Sequence, residues 1–148
     1  MLLLQEKLAS MKIGWNERPF SDVDFYKICT RFRITVTEMP LKTGGFYYRV
    51  KGRDFIAIDS RLSGPRRLFV MFHELGHFLL HVPDSGVTAN FHEVGRRTRK
   101  EREADVFAAC AIIPRTVVEN RTPHELIEDG FEPEVVGRRC SIYHRKGI

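Results

Sequence analysis

The sequence contains few cysteines and no long apolar run. Its three cysteines, Cys29, Cys110 and Cys140, are far apart and form no CxxC pair. This spacing indicates neither a disulfide framework nor a cysteine zinc site, and it favours a reducing compartment. The apolar start of the chain, MLLLQEKLAS, is too short for the hydrophobic region of a signal peptide. No other stretch approaches the length of a membrane span, so we expect a cytoplasmic protein without a membrane partner.

Repeats, low-complexity tracts and long linkers are also absent, and 148 residues suit one domain. The formal net charge is +5. Much of the positive charge lies in two runs: Arg96, Arg97, Arg99, Lys100 and Arg102, then Arg138, Arg139, Arg145 and Lys146. A basic balance can indicate nucleic-acid binding, but no recognition helix, RNP-like pattern or zinc finger accompanies it here. We therefore interpret these runs as solvated surface and do not expect direct nucleic-acid binding.

The hydrophobic pattern predicts an α+β domain, because a helix and a small sheet are followed by a run of helices. Ser21 is a plausible N-cap for the first helix, with Asp24 three residues on. Ser63, Pro65 and Pro83 bracket a long helix that is apolar nearly all round and therefore expected to be central. The predicted helices are 21–33, 63–82, 98–113, 115–120, 123–129 and 133–143; the predicted strands are 34–40, 45–50 and 54–59; residues 84–97 are expected to form a loop.

The stretch FHELGHFLLH, residues 72–81, places polar residues on the long apolar helix. His73 and His77 are four residues apart, so both imidazoles lie on one helix face and can reach one metal ion. Glu74 lies where it can contact a water on that ion, which is the HExxH arrangement of two zinc ligands and a general base. The alternative is chance spacing. We favour the metal site, because burying unpaired polar groups costs roughly 1–3 kcal/mol each and Gly76 permits a close approach beside the helix.

His81 continues the same helix face but is a poor candidate for the third ligand. It lies eight residues beyond His73, about 12 Å along an unbroken helix, whereas metal–nitrogen bonds are about 2 Å long. We expect His81 to be a helix-end histidine favoured by the helix dipole, or a group that supports or lines the site.

A better third ligand lies in EREADVFAACAIIP, residues 101–114. Glu101 and Asp105 are four residues apart and share a helix face with two alanines, which would allow a second helix to pack closely. Glu103 is about 200° round the helix from Glu101, so only one of these glutamates is expected to face the metal helix. Asp105 can accept a hydrogen bond from a ligand histidine.

An alternative role for Glu101 is to complete a capping box with Thr98 at the start of this helix. That interpretation leaves Asp105 without a reason on an apolar face. We therefore favour Glu101 as a ligand.

The two segments together resemble the ImmA/IrrE family of zinc metallopeptidases, which are small gluzincins. The family pattern is HELGHxxLH followed by a helix that reads roughly ExEAxxFAxxxLxP; the chain matches it from His73 to His81 and from Glu101 to Pro114, and the resemblance covers about residues 20–143. It implies a single zincin-like domain, residues 1–148, with a three-stranded sheet packed on a central HExxH helix and a glutamate-ligand helix. It also implies one zinc ion bound by His73, His77 and Glu101, with Asp105 orienting a ligand histidine.

The resemblance further implies a zinc-dependent endopeptidase from a bacterium, phage or mobile element. Its substrate would be a helix-turn-helix repressor or another regulatory protein, bound as an extended peptide along GFYYRV or DFIAID at a sheet edge. Zinc would activate water and Glu74 would transfer its proton. The residues alone leave the oxyanion donor open among Tyr47, Tyr48, His92, His124, Tyr143 and His144.

Two other functions compete with peptide hydrolysis. The first is a zinc-binding anti-repressor that binds its partner without cleaving it, although such a protein would not need Glu74. The second is a nucleic-acid binder with a structural zinc ion, although structural zinc usually has four protein ligands and the sequence supplies three.

Overall fold

The part of the chain that the computed structural model describes, residues 2–81, 89–90 and 98–148, contains seven helices and four short strands. In chain order these are α1 (Leu2–Met11), α2 (Asp22–Arg31), β1 (Ile34–Met39), β2 (Gly45–Val50), β3 (Arg53–Asp59), α3 (Gly64–His81), β4 (Ala89–Asn90), α4 (Arg99–Ile112), α5 (Arg115–Asn120), α6 (Pro123–Glu128) and α7 (Pro133–Lys146). The predicted α+β class is confirmed. No helix among these residues combines the length and apolar character that crossing a bilayer requires.

The strands form one mixed sheet in the order β1-β3-β2-β4. β2 and β3 are antiparallel and form a hairpin, while β1 pairs with β3 in parallel. Of the two candidate edges, GFYYRV and DFIAID, the second is therefore excluded, because β3 has a neighbour on each side. The two residues of β4, in a segment expected to be a loop, pair with Tyr47 and Tyr48 of β2. GFYYRV is thus bordered by β4 at those two residues.

The helix boundaries follow the capping signals in the sequence. Ser21 caps α2, and its side chain and that of Asp24 form the predicted capping box. α3 begins directly after Ser63 and contains Pro65 in its first turn. Thr98 caps α4 by accepting a hydrogen bond from the backbone NH of Glu101. These caps explain why the predicted helices and the observed ones agree to within a few residues at most of their ends.

The core forms where α3 packs on α4 and on one face of the sheet. Phe72, Leu75 and Phe107 are fully buried there. At Gly76 a side chain would place its Cβ 2.9 Å from Cδ1 of Phe107, closer than real Cβ contacts allow. The predicted close approach at Gly76 is confirmed, and it sets how near α4 lies to the HExxH segment.

α1 is not predicted from the sequence, whose first ten residues suggest only a segment too short for a signal peptide. The consecutive leucines obscure a short helix that buries Leu4 and Leu8 while Leu2 and Leu3 remain exposed. Lys7 on this helix donates a hydrogen bond from Nζ to the carbonyl of Leu80, 3.1 Å away. α1 therefore supports the C-terminal turn of α3, where carbonyls lack helical partners.

The interpretation of the basic runs as solvated surface is wrong for Arg139, which is fully buried. Its guanidinium donates hydrogen bonds to the backbone carbonyls of Ile113 and Ile148 and to Oδ1 of Asn16. A guanidinium has five donors and can satisfy several buried acceptors at once. Arg139 therefore joins three segments of the fold and does not face solvent.

We expect Gly76→Ala to destabilise the protein by about 1–3 kcal/mol, because the added methyl group would force Phe107 or α4 to move. Urea unfolding at an unchanged m-value would measure this loss. Gly137→Ala is the matched control, since Gly137 lies within α7 and no other described part of the chain comes within 4 Å of a Cβ placed there. That change should stabilise the helix by about 0.5–1 kcal/mol. Equal effects of the two substitutions would contradict the close packing at Gly76.

Candidate metal site

The histidines of the HExxH segment and a carboxylate from α4 converge at one point. Nε2 of His73 and Nε2 of His77 lie 3.2 Å apart. The two oxygens of Glu101 lie 3.2 Å from Nε2 of His73 and 2.8 Å from Nε2 of His77. Both histidines are buried and Glu101 is mostly so. The ligand atoms of these three residues all lie within 4.8 Å of one another, a spacing that could hold a metal ion.

The donor spacing fits a tetrahedral metal centre. With metal–ligand bonds of about 2.0–2.1 Å, the edges of a tetrahedron of ligands are about 3.3 Å long. The two imidazole nitrogens are 3.2 Å apart, close to that value, and each lies 2.8–3.2 Å from a different oxygen of Glu101. Two imidazoles and one carboxylate also form a ligand set typical of catalytic zinc, with a fourth position left for water or substrate.

Glu101 does not act only as a capping residue. Its backbone NH donates to Oγ1 of Thr98 at 3.2 Å, which is one half of a capping box. Its carboxylate instead contacts both histidines. The backbone and the side chain of Glu101 thus serve different purposes, since Thr98 fixes the start of α4 and the carboxylate reaches α3.

Glu74 is fully buried on α3, beside the start of β2. A Cβ added at Gly45 would lie 3.2 Å from Cγ of Glu74 and 3.0 Å from Cγ1 of Val70. β2 therefore passes so close to Glu74 that position 45 has little room for a side chain. No local pattern in the sequence indicates this role of Gly45, because a glycine next to Gly44 is sufficiently explained by a turn.

The outer nitrogen of His73 faces α4. Nδ1 of His73 lies 2.8 Å from Oδ1 of Asp105, close enough for this carboxylate to orient the imidazole ring. Oδ2 of Asp105 accepts a hydrogen bond from Arg138 at 2.8 Å, and Arg138 also pairs with Glu134. The solvated-surface interpretation is therefore incomplete for Arg138, which connects α7 to the histidine through Asp105. No local pattern in the sequence links residues 33 positions apart.

His81 lies outside the three-residue cluster, as the helix geometry predicted. Its Nδ1 is 3.3 Å from Nδ1 of His77, and its Nε2 is 3.2 Å from Oε2 of Glu103. Burial lowers the pKa of His81, while the contact with Glu103 opposes that shift. The expectation that only one glutamate would face α3 is wrong. Glu103 contacts His81, the last residue of α3, and Glu101 contacts His77 and His73, which lie one and two turns before it.

The described oxyanion candidates have contacts elsewhere. Tyr47 donates a hydrogen bond to Asp54, Tyr143 to Glu119, and His124 pairs with Glu128. Tyr48 stacks on Phe55, and His144 contacts the ring of Tyr143. Within the described part of the chain, none of these five side chains bonds to the cluster, and His92 lies outside the described residues.

The fold and this site define the class of protein as an α+β domain with two histidines and one glutamate arranged around a possible metal position. The family model Peptidase_M78, the IrrE N-terminal-like domain, matches residues 29–129. The chain belongs to this family, which confirms its resemblance to the ImmA/IrrE group. No solved structure gives a significant match to the chain.

A relative in Bacillus phage phi105 bears the name "Uncharacterized immunity region protein 2". It is 34% identical to the chain over 100 residues, which are 63% of this chain and 60% of the relative. The chain thus matches less than two thirds of that protein's length.

We expect Arg138→Met to weaken metal binding by less than about tenfold, because Arg138 acts on His73 only through Asp105, whereas a direct partner of a ligand typically contributes 10–100-fold. Competition between the protein and a zinc chelator would measure this loss. Arg145→Met is the control on the same helix, since Arg145 is exposed. An affinity for zinc that falls equally in both variants would indicate a general charge effect and contradict the specific contact.

Proposed function

We propose that the protein is a zinc-dependent endopeptidase that holds one zinc ion per chain through His73, His77 and Glu101. The convergence of these three side chains, in a chain that belongs to a peptidase family, is the observation that carries this proposal. The ligand set leaves a fourth position open, as catalytic zinc sites require and structural sites usually do not.

The residues of the chain divide the chemistry between them. Zinc held by His73, His77 and Glu101 would supply Lewis acidity, which would make water a nucleophile near neutral pH and polarise a substrate carbonyl. Glu74 accepts the proton of the attacking water and passes it to the leaving amine. Glu74 is fully buried, and Gly45 packs against its side chain. This packing limits the rotamers of Glu74, so the carboxylate is held in place before substrate binds. Asp105 holds the ring of His73 through Nδ1.

The proposed substrate is a helix-turn-helix repressor or another regulatory protein. The resemblance to the ImmA/IrrE family suggests this class, and the name of the phage relative, an immunity region protein, agrees with it. Gly45, at the start of β2, lies close to Glu74, so this end of the strand is next to the proposed general base. The proposed extended segment of the substrate would lie next to this end of β2.

We further propose that residues 1–148 act as one domain in the cytoplasm. The site depends on elements from most of the chain, since α1 supports the end of α3 and α7 supplies Arg138. All three cysteines are free, as expected in a reducing compartment. Because Arg138 and Arg139 have partners inside the fold, two of the basic residues that favoured nucleic-acid binding have a structural explanation.

The metal site is tested by metal content. We expect one zinc ion per purified chain by mass spectrometry, and loss of most of it in Glu101→Ala and His73→Ala, because each change removes one of three ligands. His124→Gln and Glu128→Gln are matched controls, since both residues are exposed. Zinc retained in Glu101→Ala at the wild-type level would contradict the proposed third ligand.

The catalytic role is tested with Glu74→Gln. This variant should bind zinc as the wild type does, because Glu74 is not a ligand, and it should lose cleavage of a co-expressed repressor by at least about 100-fold. Glu128→Gln should cleave normally. Cleavage retained in Glu74→Gln would overturn the assigned base. If wild type binds the repressor and removes it from DNA without cutting it, the anti-repressor function replaces the peptidase.

A further inference from the structure

The position of His81 suggests a role other than metal ligation or proton transfer. We propose that His81 positions the ligand histidine His77, by accepting a hydrogen bond from its outer nitrogen, and that Glu103 holds His81 in the orientation this requires. The inference rests on the proposed metal site. It concerns a positioning residue, since His81 lies outside the cluster of donor atoms.

The ring contacts of the two histidines fix one set of proton positions. Nε2 of His77 faces Glu101 and His73 at the site, so a metal ion would use the lone pair of that nitrogen. The single proton of a neutral His77 ring is then on Nδ1, which lies 3.3 Å from Nδ1 of His81. His81 must present a lone pair at Nδ1 to accept this hydrogen bond. Its own proton is therefore on Nε2, facing Oε2 of Glu103 at 3.2 Å.

Every donor in this chain of contacts meets an acceptor. His77 donates to His81, and His81 donates to Glu103. Arg99 completes the series by donating from Nε to the other oxygen of Glu103 at 2.7 Å. No other arrangement of ring protons satisfies both contacts of His81 while keeping the lone pair on Nε2 of His77 for a metal ion. The chain of contacts therefore favours the metal-binding tautomer of His77.

The surroundings of His81 hold its backbone as well as its ring. Lys7 of α1 donates to the carbonyl of Leu80, the residue directly before His81. The side chain of His81 is only 7% exposed, so it has little freedom to leave this position. His81 thus meets the two requirements of a positioning residue, which are a fixed location and a suitable acceptor.

The two ligand histidines therefore have separate outer partners. His73 faces a carboxylate, Asp105, whereas His77 faces a second imidazole. Outer partners of this kind fix ring orientation and tautomer, and their loss typically costs 10–100-fold in metal affinity. A simpler role for His81 is to join α3 to α4 through Glu103. That role would affect folding stability but would have no direct effect on the ring of His77.

Zinc affinity separates these two roles. We would measure the dissociation constant for zinc by chelator competition in wild type, His81→Leu, His81→Gln and the surface control His124→Gln. His81→Leu should bind zinc about 10–100-fold more weakly. His81→Gln should recover most of the loss, because its amide oxygen can accept from His77 and its amide nitrogen can donate to Glu103. His124→Gln should match wild type, since His124 is exposed and lies outside the cluster.

A double-mutant cycle tests whether Glu103 acts through His81. Glu103→Ala alone should weaken zinc binding in the same direction as His81→Leu. In the double variant it should add little, because its effect requires His81. Glu103→Ala leaves both histidines intact, so it also carries the test if His81→Leu fails to fold. Fully additive losses would show that Glu103 does not act through His81.

A nuclear magnetic resonance measurement reports on the hydrogen bond itself. In the zinc-loaded wild type, the proton on Nδ1 of His77 should be visible and protected from exchange with water. In His81→Leu it should exchange faster, because the acceptor of its hydrogen bond is lost. A purely structural role of His81 would lower the melting temperature without changing this proton in the folded fraction.

The outcomes distinguish this inference from the proposed function. If wild type binds no zinc, the proposed metal site fails and this inference fails with it. If wild type binds zinc and His81→Leu binds it within about twofold as tightly, the metal site stands and the positioning role of His81 is overturned. Weaker binding in His81→Leu, recovery in His81→Gln and a non-additive cycle together support it.

Discussion

The close contact between α3 and α4 is the constraint on which the candidate site depends. Metal ligation requires donor atoms from both helices to meet within a few ångströms, and only a short distance between helix axes allows this. Gly76 permits that distance because it has no side chain, and the ring of Phe107 packs where a Cβ would lie. Glu101 lies on the same helix as Phe107, so the apolar contact also determines where its carboxylate meets His73 and His77. Core packing and metal geometry are therefore two consequences of one interface.

The interface also places polar groups where they would be unfavourable without partners. His73, Glu74, His77 and Asp105 are all buried. Buried polar groups cost free energy unless they are hydrogen-bonded or bind a metal ion. The contacts among the histidines, Glu101 and Asp105 offset part of this cost, and a bound cation would offset more by neutralising the carboxylate. A site of this kind thus favours the folded state more strongly when the ion is bound.

Much of this arrangement could be predicted from the sequence because it depends on local spacing. The pairs His73 and His77, and Glu101 and Asp105, are each four residues apart, and that separation alone places two side chains on one helix face. The small residue Gly76 likewise signals a close approach. The same reasoning placed most helices and three strands close to their observed positions, because caps and prolines mark their ends.

The remaining contacts could not be predicted because they join residues that no short pattern connects. Arg138 reaches Asp105 from a helix 33 residues away, and Gly45 limits Glu74 from a neighbouring strand. The rotation angle between Glu101 and Glu103 was correct, but the conclusion drawn from it was wrong. The angle between two residues around α4 does not determine how far a glutamate side chain reaches, nor where α3 ends relative to it. Tertiary geometry alone brings Glu103 to His81.

The two outer supports of the site differ in their origin, and this difference has a consequence for the fold. His81 and Glu103 lie within residues 29–129, the segment that matches the IrrE N-terminal-like family. Arg138 lies beyond it, on α7, as does the buried Arg139 that joins the same helix to the end of α4. Apart from the contact of Lys7 of α1 with Leu80, the proposed support for His77 lies within α3 and α4, the helices that carry the proposed ligands. The support for His73 also requires α7 to dock correctly, so changes in the packing of α7 should reach the site through His73 rather than through His77.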